Sequence, residues 1–148
     1  MRRFGGLVLV AVLALTVSAC GGGGEKKSEE NDLGKEAKAA CTGKPLSAAP
    51  KLPASFPQIE EDKLTYTQQH TEGPTDVIEG YFHGDVREAH DEFLKELKGA
   101  QFKILFNELE EHDSEISWQG EGRTGQVALR EECGDSDKTY VHITNRAA

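Results

Sequence analysis

The sequence is poor in the patterns that mark catalytic, metal or nucleic-acid sites. It contains three cysteines without a Cys-x-x-Cys pair, five histidines, one tryptophan and no Gly-x-Ser-x-Gly motif. No two histidines have the spacing of a zinc motif. Acidic residues outnumber basic ones by 26 to 17, for a net charge of −9, and such a chain is repelled by nucleic acid. We therefore predict no catalytic residue, no metal ligand, no cofactor and no nucleic-acid partner.

Long apolar runs are also scarce. One stretch from Phe4 to Val17 follows Arg2 and Arg3 and ends in small residues. It is shorter than the ~20 apolar residues that a membrane-spanning helix needs. A basic start, a short apolar centre and a small-residue end are typical of a secretory signal, so residues 1–19 are predicted to be a signal peptide.

The end of this signal carries a recognisable motif. Residues 17–20 read Val-Ser-Ala-Cys, and this tetrapeptide resembles the lipobox of bacterial lipoproteins, with Val17 where leucine is most common. The resemblance implies cleavage before Cys20 and lipidation of its thiol, which would anchor the chain to the cell membrane, facing outside the cytoplasm. It covers only the signal and the first mature residues. The alternative is ordinary signal cleavage that leaves Cys20 as a free thiol, a reactive liability outside the cell.

The rest of the chain divides by composition. Residues 20–57 are rich in Gly, Lys, Glu, Ser, Ala and Pro, with only scattered apolar residues. Such a segment buries too little surface to offset its ordering entropy, so a flexible tether is predicted there. Residues 58–148 hold 9 basic and 21 acidic residues and are predicted to form one small acidic domain.

Hydrophobic periodicity predicts the elements of this domain. Two β-like runs flank Gly73, and a helix follows in which Asp85 and Glu88 form a capping box. Alternating apolar residues then predict four further strands, at Phe102, Ile104 and Phe106; at Ile116 and Trp118; at Val127 and Leu129; and at Val141 and Ile143. The predicted fold class is α+β, a two-layer sandwich with one helix on a mainly antiparallel sheet in the order ββαββββ.

Two cysteines remain if Cys20 is lipidated. Cys41 and Cys133 form an even pair in an oxidising compartment, which predicts a disulfide. A redox-active pair is the alternative, but the chain has no Cys-x-x-Cys spacing. The disulfide would join the tether to the rim of the sheet.

One helix covers only part of a six-stranded sheet, so polar side chains are expected on the opposite face. Antiparallel sheets commonly leave one face solvated, and the functional interpretation of the same face is a recognition surface. The candidate residues are Thr65, Thr67, Lys103, Gln119, Arg130, Tyr140 and His142, with Ser117 and Thr144 beside them and Leu105 and Ala128 as a small apolar patch.

The resulting hypothesis is a lipid-anchored, non-catalytic binding or interaction module at the cell envelope. Its partners would be the membrane, through the lipid on Cys20, and an unknown protein, glycan or cation. The alternative is a small envelope hydrolase or lyase that uses surface carboxylates with His142. A third candidate, an accessory solute-binding protein, lacks the two-lobed cleft that such proteins usually need.

Overall fold

The computed structural model describes residues 26–135 and 137–148, and side chains from residue 34 onward. The predicted signal peptide and Cys20 lie outside the described residues. The chain forms a six-stranded antiparallel sheet with two helices, which confirms a mixed α+β fold made mostly of sheet. The elements are α1 (Lys26–Thr42), β1 (Leu64–Glu72), β2 (Thr75–His83), α2 (Val86–Gly99), β3 (Lys103–Leu109), β4 (Asp113–Gly120), β5 (Arg123–Arg130) and β6 (Lys138–Ala147).

The strands lie in the order β1-β2-β6-β5-β4-β3, and every neighbouring pair is antiparallel. The β1–β2 hairpin turns at Gly73, whose φ of 56° is a conformation that favours glycine. Strand β6 then pairs with both β2 and β5, so it joins this hairpin to the β3–β4–β5 meander. This order leaves β1 and β3 as the two edge strands.

Helix α2 forms where the periodicity predicts it. The Asp85 side chain accepts a hydrogen bond from the Glu88 backbone N–H, and the Glu88 side chain accepts one from the Asp85 backbone, so the predicted capping box is present. The helix buries Val86, Ala89, Phe93 and Leu97. These side chains pack on in-register residues that define the core face of the sheet: Ile78, Ile143, Val127 and Ile116.

The sequence prediction lacks the full helix α1: it assigns residues 20–57 to a flexible tether, in which residues 35–40 alone have the pattern of a helical turn. The structure corrects this prediction from Lys26 onward. Ala37, Ala40 and Cys41 are buried against Tyr140 of β6, on the face opposite α2, which we call the outer face. The predicted order ββαββββ therefore lacks an N-terminal helix. The helix was missed because alanines in a Lys- and Glu-rich segment give a weak amphipathic signal.

The disulfide between Cys41 and Cys133 is confirmed. It joins the end of α1 to the β5–β6 connection across a sequence separation of 92, with the two Cα atoms 5.4 Å apart. Next to it, the Thr67 hydroxyl donates to the Ala40 carbonyl at 2.8 Å. Gly43 lies so close to Thr67 that an added Cβ would stand 2.7 Å from the Thr67 Cβ. Glycine is therefore required where the chain leaves the helix.

Residues 45–57 also depart from the predicted tether, because they wrap around the edge of the sheet at β1. The Leu46 backbone N–H donates to the Tyr66 carbonyl at 2.8 Å. Farther along, Phe56 is 1% exposed, and its ring packs in the core against Phe102 and Trp118, with ring centroids 5.9 and 5.3 Å away. A single apolar residue in a Pro- and Ala-rich stretch gives no periodic signal, which is why the sequence did not reveal this contact.

Candidate functional site

The residues predicted to form one recognition face are divided by α1, which contacts β1, β2 and β6. Tyr140 is buried beneath the helix, and Thr67 is hydrogen-bonded to its last turn. His142 and Thr65 are half-buried on β6 and β1. Lys103 and Gln119 form a register pair on β3 and β4 and are exposed, and Arg130 on β5 is half-buried. The outer face thus has a half near α1 and a half formed by β3, β4 and β5.

A polar network occupies the half near α1. The Tyr140 hydroxyl donates to Glu79 Oε1 at 2.5 Å, and His142 is the register partner of Glu79 across β2 and β6. His70 Nδ1 lies 4.0 Å from the other carboxylate oxygen of Glu79. Burial raises the pKa of Tyr140, and its hydrogen bond to Glu79 adds to the shift. Burial also lowers the pKa of His142, against the opposing charge of Glu79.

This network brings His142 beside an acid, as the hydrolase alternative requires. However, Glu79 is only 3% exposed and Tyr140 only 2%, so the carboxylate and the phenol lie out of reach of a substrate in solution. One oxygen of Glu79 already accepts the Tyr140 hydroxyl. Buried polar groups with satisfied hydrogen bonds fix the packing of an interface. The hydrogen bond to Glu79 therefore holds Tyr140, which packs against Ala37, Ala40 and Cys41 of α1.

The half formed by β3, β4 and β5 carries an unexpected aromatic side chain. The alternation of Phe102, Ile104 and Phe106 predicts that all three face the core. Ile104 is the register partner of Trp118, but the register shifts before Phe106, which pairs with Ser117. Phe106 is consequently 46% exposed, and Leu105 at the shift is 50% exposed. A β-bulge redirects side chains in this way, and no local sequence signal identified it.

Acidic side chains lie on one side of this apolar pair, from the end of β3 to the start of β4, and Lys103 lies on the other side. Glu108 and Glu115 are register partners, and Asp113 faces Arg130 across β4 and β5. In the connecting turn, His112 Nδ1 lies 2.8 Å from Glu131 Oε2, and this hydrogen bond raises the pKa of His112. The acidic group is Glu108, Glu110, Glu111, Asp113 and Glu115. Within the described residues, no group of three or more His, Cys, Asp or Glu side chains is arranged to hold a metal ion.

No protein family matches the chain, and no curated protein matches it either. Among the described residues, none of the helices has the length and apolar character needed to cross a bilayer.

Proposed function

We propose that the protein is a lipoprotein, anchored outside the cytoplasm through lipid on Cys20, whose folded domain is a non-catalytic binding module. In this proposal α2, the sheet and α1 form three layers. The contact surface is the half of the outer face formed by β3, β4 and β5. The bound partner is a protein segment that carries basic and apolar side chains.

The observation that carries this proposal is the outward position of Leu105 and Phe106 on an edge strand. They are the large hydrophobic residues most exposed in the described part of the chain. Aromatic residues are enriched at protein interfaces. An edge strand also presents unpaired backbone groups to which a partner strand can add.

Charge defines the kind of partner. The five acidic residues of the group beside Phe106 outnumber Lys103 and Arg130, the basic residues on the same half of the outer face. Together with the net charge of −9, they favour approach by a basic surface and disfavour an acidic one. A basic extended segment would pair with the β3 backbone and place an apolar side chain against Phe106. Its lysines or arginines would lie beside Glu108 and Glu115.

Capture from solubilised envelope with matched variants tests this surface. We expect the full chain to retain a protein that Phe106→Ser loses, because the apolar contact is removed. The conservative variant Phe106→Tyr should retain it. Raising the salt concentration should weaken retention through screening of the acidic group. Equal retention by wild type and Phe106→Ser, or retention of no protein, would overturn the proposal.

The anchor has a separate test. Cys20→Ala should either release the protein from the membrane fraction or leave the signal uncleaved, because neither cleavage at the lipobox nor lipidation can proceed without the thiol. Two acyl chains hold a protein firmly, at ~0.8 kcal/mol per buried methylene. A processed Cys20→Ala protein that stays in the membrane fraction would refute anchoring through this residue.

A further inference from the structure

The segment that wraps the β1 edge forms one side of a half-open cavity of about 560 Å³. This volume falls within the range of small-molecule sites, ~300–1,000 Å³. The cavity lies at the edge opposite β3, away from the surface proposed to bind a protein. Its walls are residues 45–50, Leu52, 57–59, Glu61 and the first three residues of β1.

The wall is fixed at three places. The Leu46 N–H donates to the Tyr66 carbonyl, and the buried Asn145 side chain donates to the Lys51 carbonyl at 2.7 Å. Phe56 is inserted into the core. Three prolines, Pro45, Pro50 and Pro57, also restrict the backbone of the wall. A wall held at these points keeps the cavity formed without a ligand, which lowers the ordering cost of binding.

The lining selects a chemical class. Leu46, Leu52, Ile59 and Leu64 offer apolar surface, while Ser47, Gln58 and Thr65 offer hydrogen bonds. Glu61 is the charged residue of the lining, which contains no lysine or arginine. The nearby Lys51 ammonium donates to the Thr71 hydroxyl and lies 3.5 Å from Asp76 Oδ1. The cavity therefore presents a single negative charge beside an apolar wall.

We propose that this cavity binds a small molecule with an apolar body and one ammonium group, whose charge lies at Glu61. The proposal is independent of the protein partner at β3, and failure of either leaves the other standing.

Three dansyl probes that differ in charge test this site on the purified full chain in lipid nanodiscs, with empty nanodiscs as the blank. Dansylcadaverine is cationic, dansylamide neutral and dansylglycine anionic. Trp118 is the one tryptophan of the chain and contacts Phe56, the residue before Pro57 of the wall. Energy transfer from it therefore reports a probe bound to the domain, and the variants below place that probe. We expect saturable binding, tightest for dansylcadaverine and weakest for dansylglycine. Equal affinity of the three probes would overturn the assigned ligand class.

Variants locate the binding. Glu61→Gln should weaken dansylcadaverine by about two- to fivefold, the range of an exposed ion pair, and leave dansylamide unchanged. Glu36→Gln makes the same charge change at an exposed position of α1, outside both the cavity and the β3–β5 surface, and should have no effect. Ala48→Phe should fill the cavity and abolish all three signals, and Ala49→Phe serves the same purpose if the first variant lacks the wild-type melting temperature. Undiminished transfer in a folded filled-cavity variant would overturn the site.

Discussion

The two helices are attached to the same sheet by different means. Helix α2 inserts Phe93 and Leu97 into the core, and both are 0% exposed. Helix α1 contributes Ala37 and Ala40, which bury little apolar area, together with Cys41 of the disulfide. Hydrophobic burial scales with apolar area, at about 25 cal/mol per Å². We infer that α2 is held by burial and α1 chiefly by a covalent bond and hydrogen bonds.

The largest loss of unfolding free energy should come from substituting a buried residue of α2. Phe93→Ala removes a fully buried ring and leaves a cavity, so it should lower the free energy of unfolding by about 3–5 kcal/mol. Denaturant titration measures this loss. Leu94→Ala, at a half-buried neighbouring position, should cost clearly less. A loss for Phe93→Ala below that of the disulfide variant would reverse the comparison.

Removing the disulfide should have the next largest effect. Replacing both Cys41 and Cys133 by serine releases a loop whose closure stabilises a folded chain by about 2–4 kcal/mol. Hydrogen exchange should rise along α1 and remain slow in α2. Reductant should reproduce this result in the wild type and change nothing in the double variant. Unchanged exchange in α1 would show that its noncovalent contacts suffice.

Loss of the N-terminal cap of α2 should lower the free energy of unfolding by less than removal of the disulfide. Asp85→Ala removes the acceptor for the Glu88 backbone N–H and should lower the free energy of unfolding by about 1 kcal/mol. Asp85→Ser keeps a capping oxygen and should restore most of this stability. Thermal unfolding measures both variants. Equal melting temperatures for the alanine and serine variants would show that the capping hydrogen bond is not what stabilises this end of the helix.

The smallest expected effect on the free energy of unfolding comes from protonation of two histidines at low pH. Burial lowers the pKa of His90 on α2 and of His142 on the outer face below the ordinary 6.5. At His90, the charges of Arg87 and Lys98 lower the pKa further, and the charge of Asp91 raises it. At His142, the charge of Arg130 lowers the pKa, and the charges of Glu79, Glu36 and Glu72 raise it. Because each of these two histidines binds a proton more readily when unfolded, their contribution to the free energy of unfolding should fall as pH drops below about 6.5. The raised pKa of His112 acts in the opposite direction.

Single glutamine variants at the two histidines separate these contributions. Each should flatten the pH dependence between pH 7 and 5, and the double variant should flatten it most. Denaturant titration at several pH values measures the slopes. A double variant with the wild-type slope would contradict the assignment. If the slope changes more in the single His90 variant than in the single His142 variant, protonation of the histidine on α2 is the main cause of the loss of stability at low pH.

The sequence predicted the parts of the fold that have strong local signals. Helix α2 was readable because its cap and its apolar spacing agree, and the strands were readable from alternation. Helix α1 could not be read from the sequence, because the hydrophobicity of Ala37 and Ala40 differs little from that of the neighbouring residues. Phe56 contacts Phe102 and Trp118, far along the chain, and a single residue has no period.

The candidate surface was less predictable than the fold. Alternation along the strands places Lys103, Gln119 and Arg130 on the outer face, but it gives no indication that helix α1 covers Tyr140. The outward turn of Phe106 depends on where β3 pairs with β4, and that register is set by tertiary contacts. The cavity beside β1 arises from a segment whose composition suggested no fixed structure.

The disulfide also determines how the domain would respond to mechanical force. If Cys20 holds the chain to a membrane, tension reaches the domain through α1, whose small side chains offer little resistance to peeling. Peeling can proceed along the helix only as far as Cys41, where a covalent bond transfers the load to Cys133. Beyond that point, the force must separate the hydrogen-bonded strands of the sheet. Under such a force, α1 would detach from the sheet up to Cys41, and the disulfide would then transfer the load to the sheet, which would stay folded.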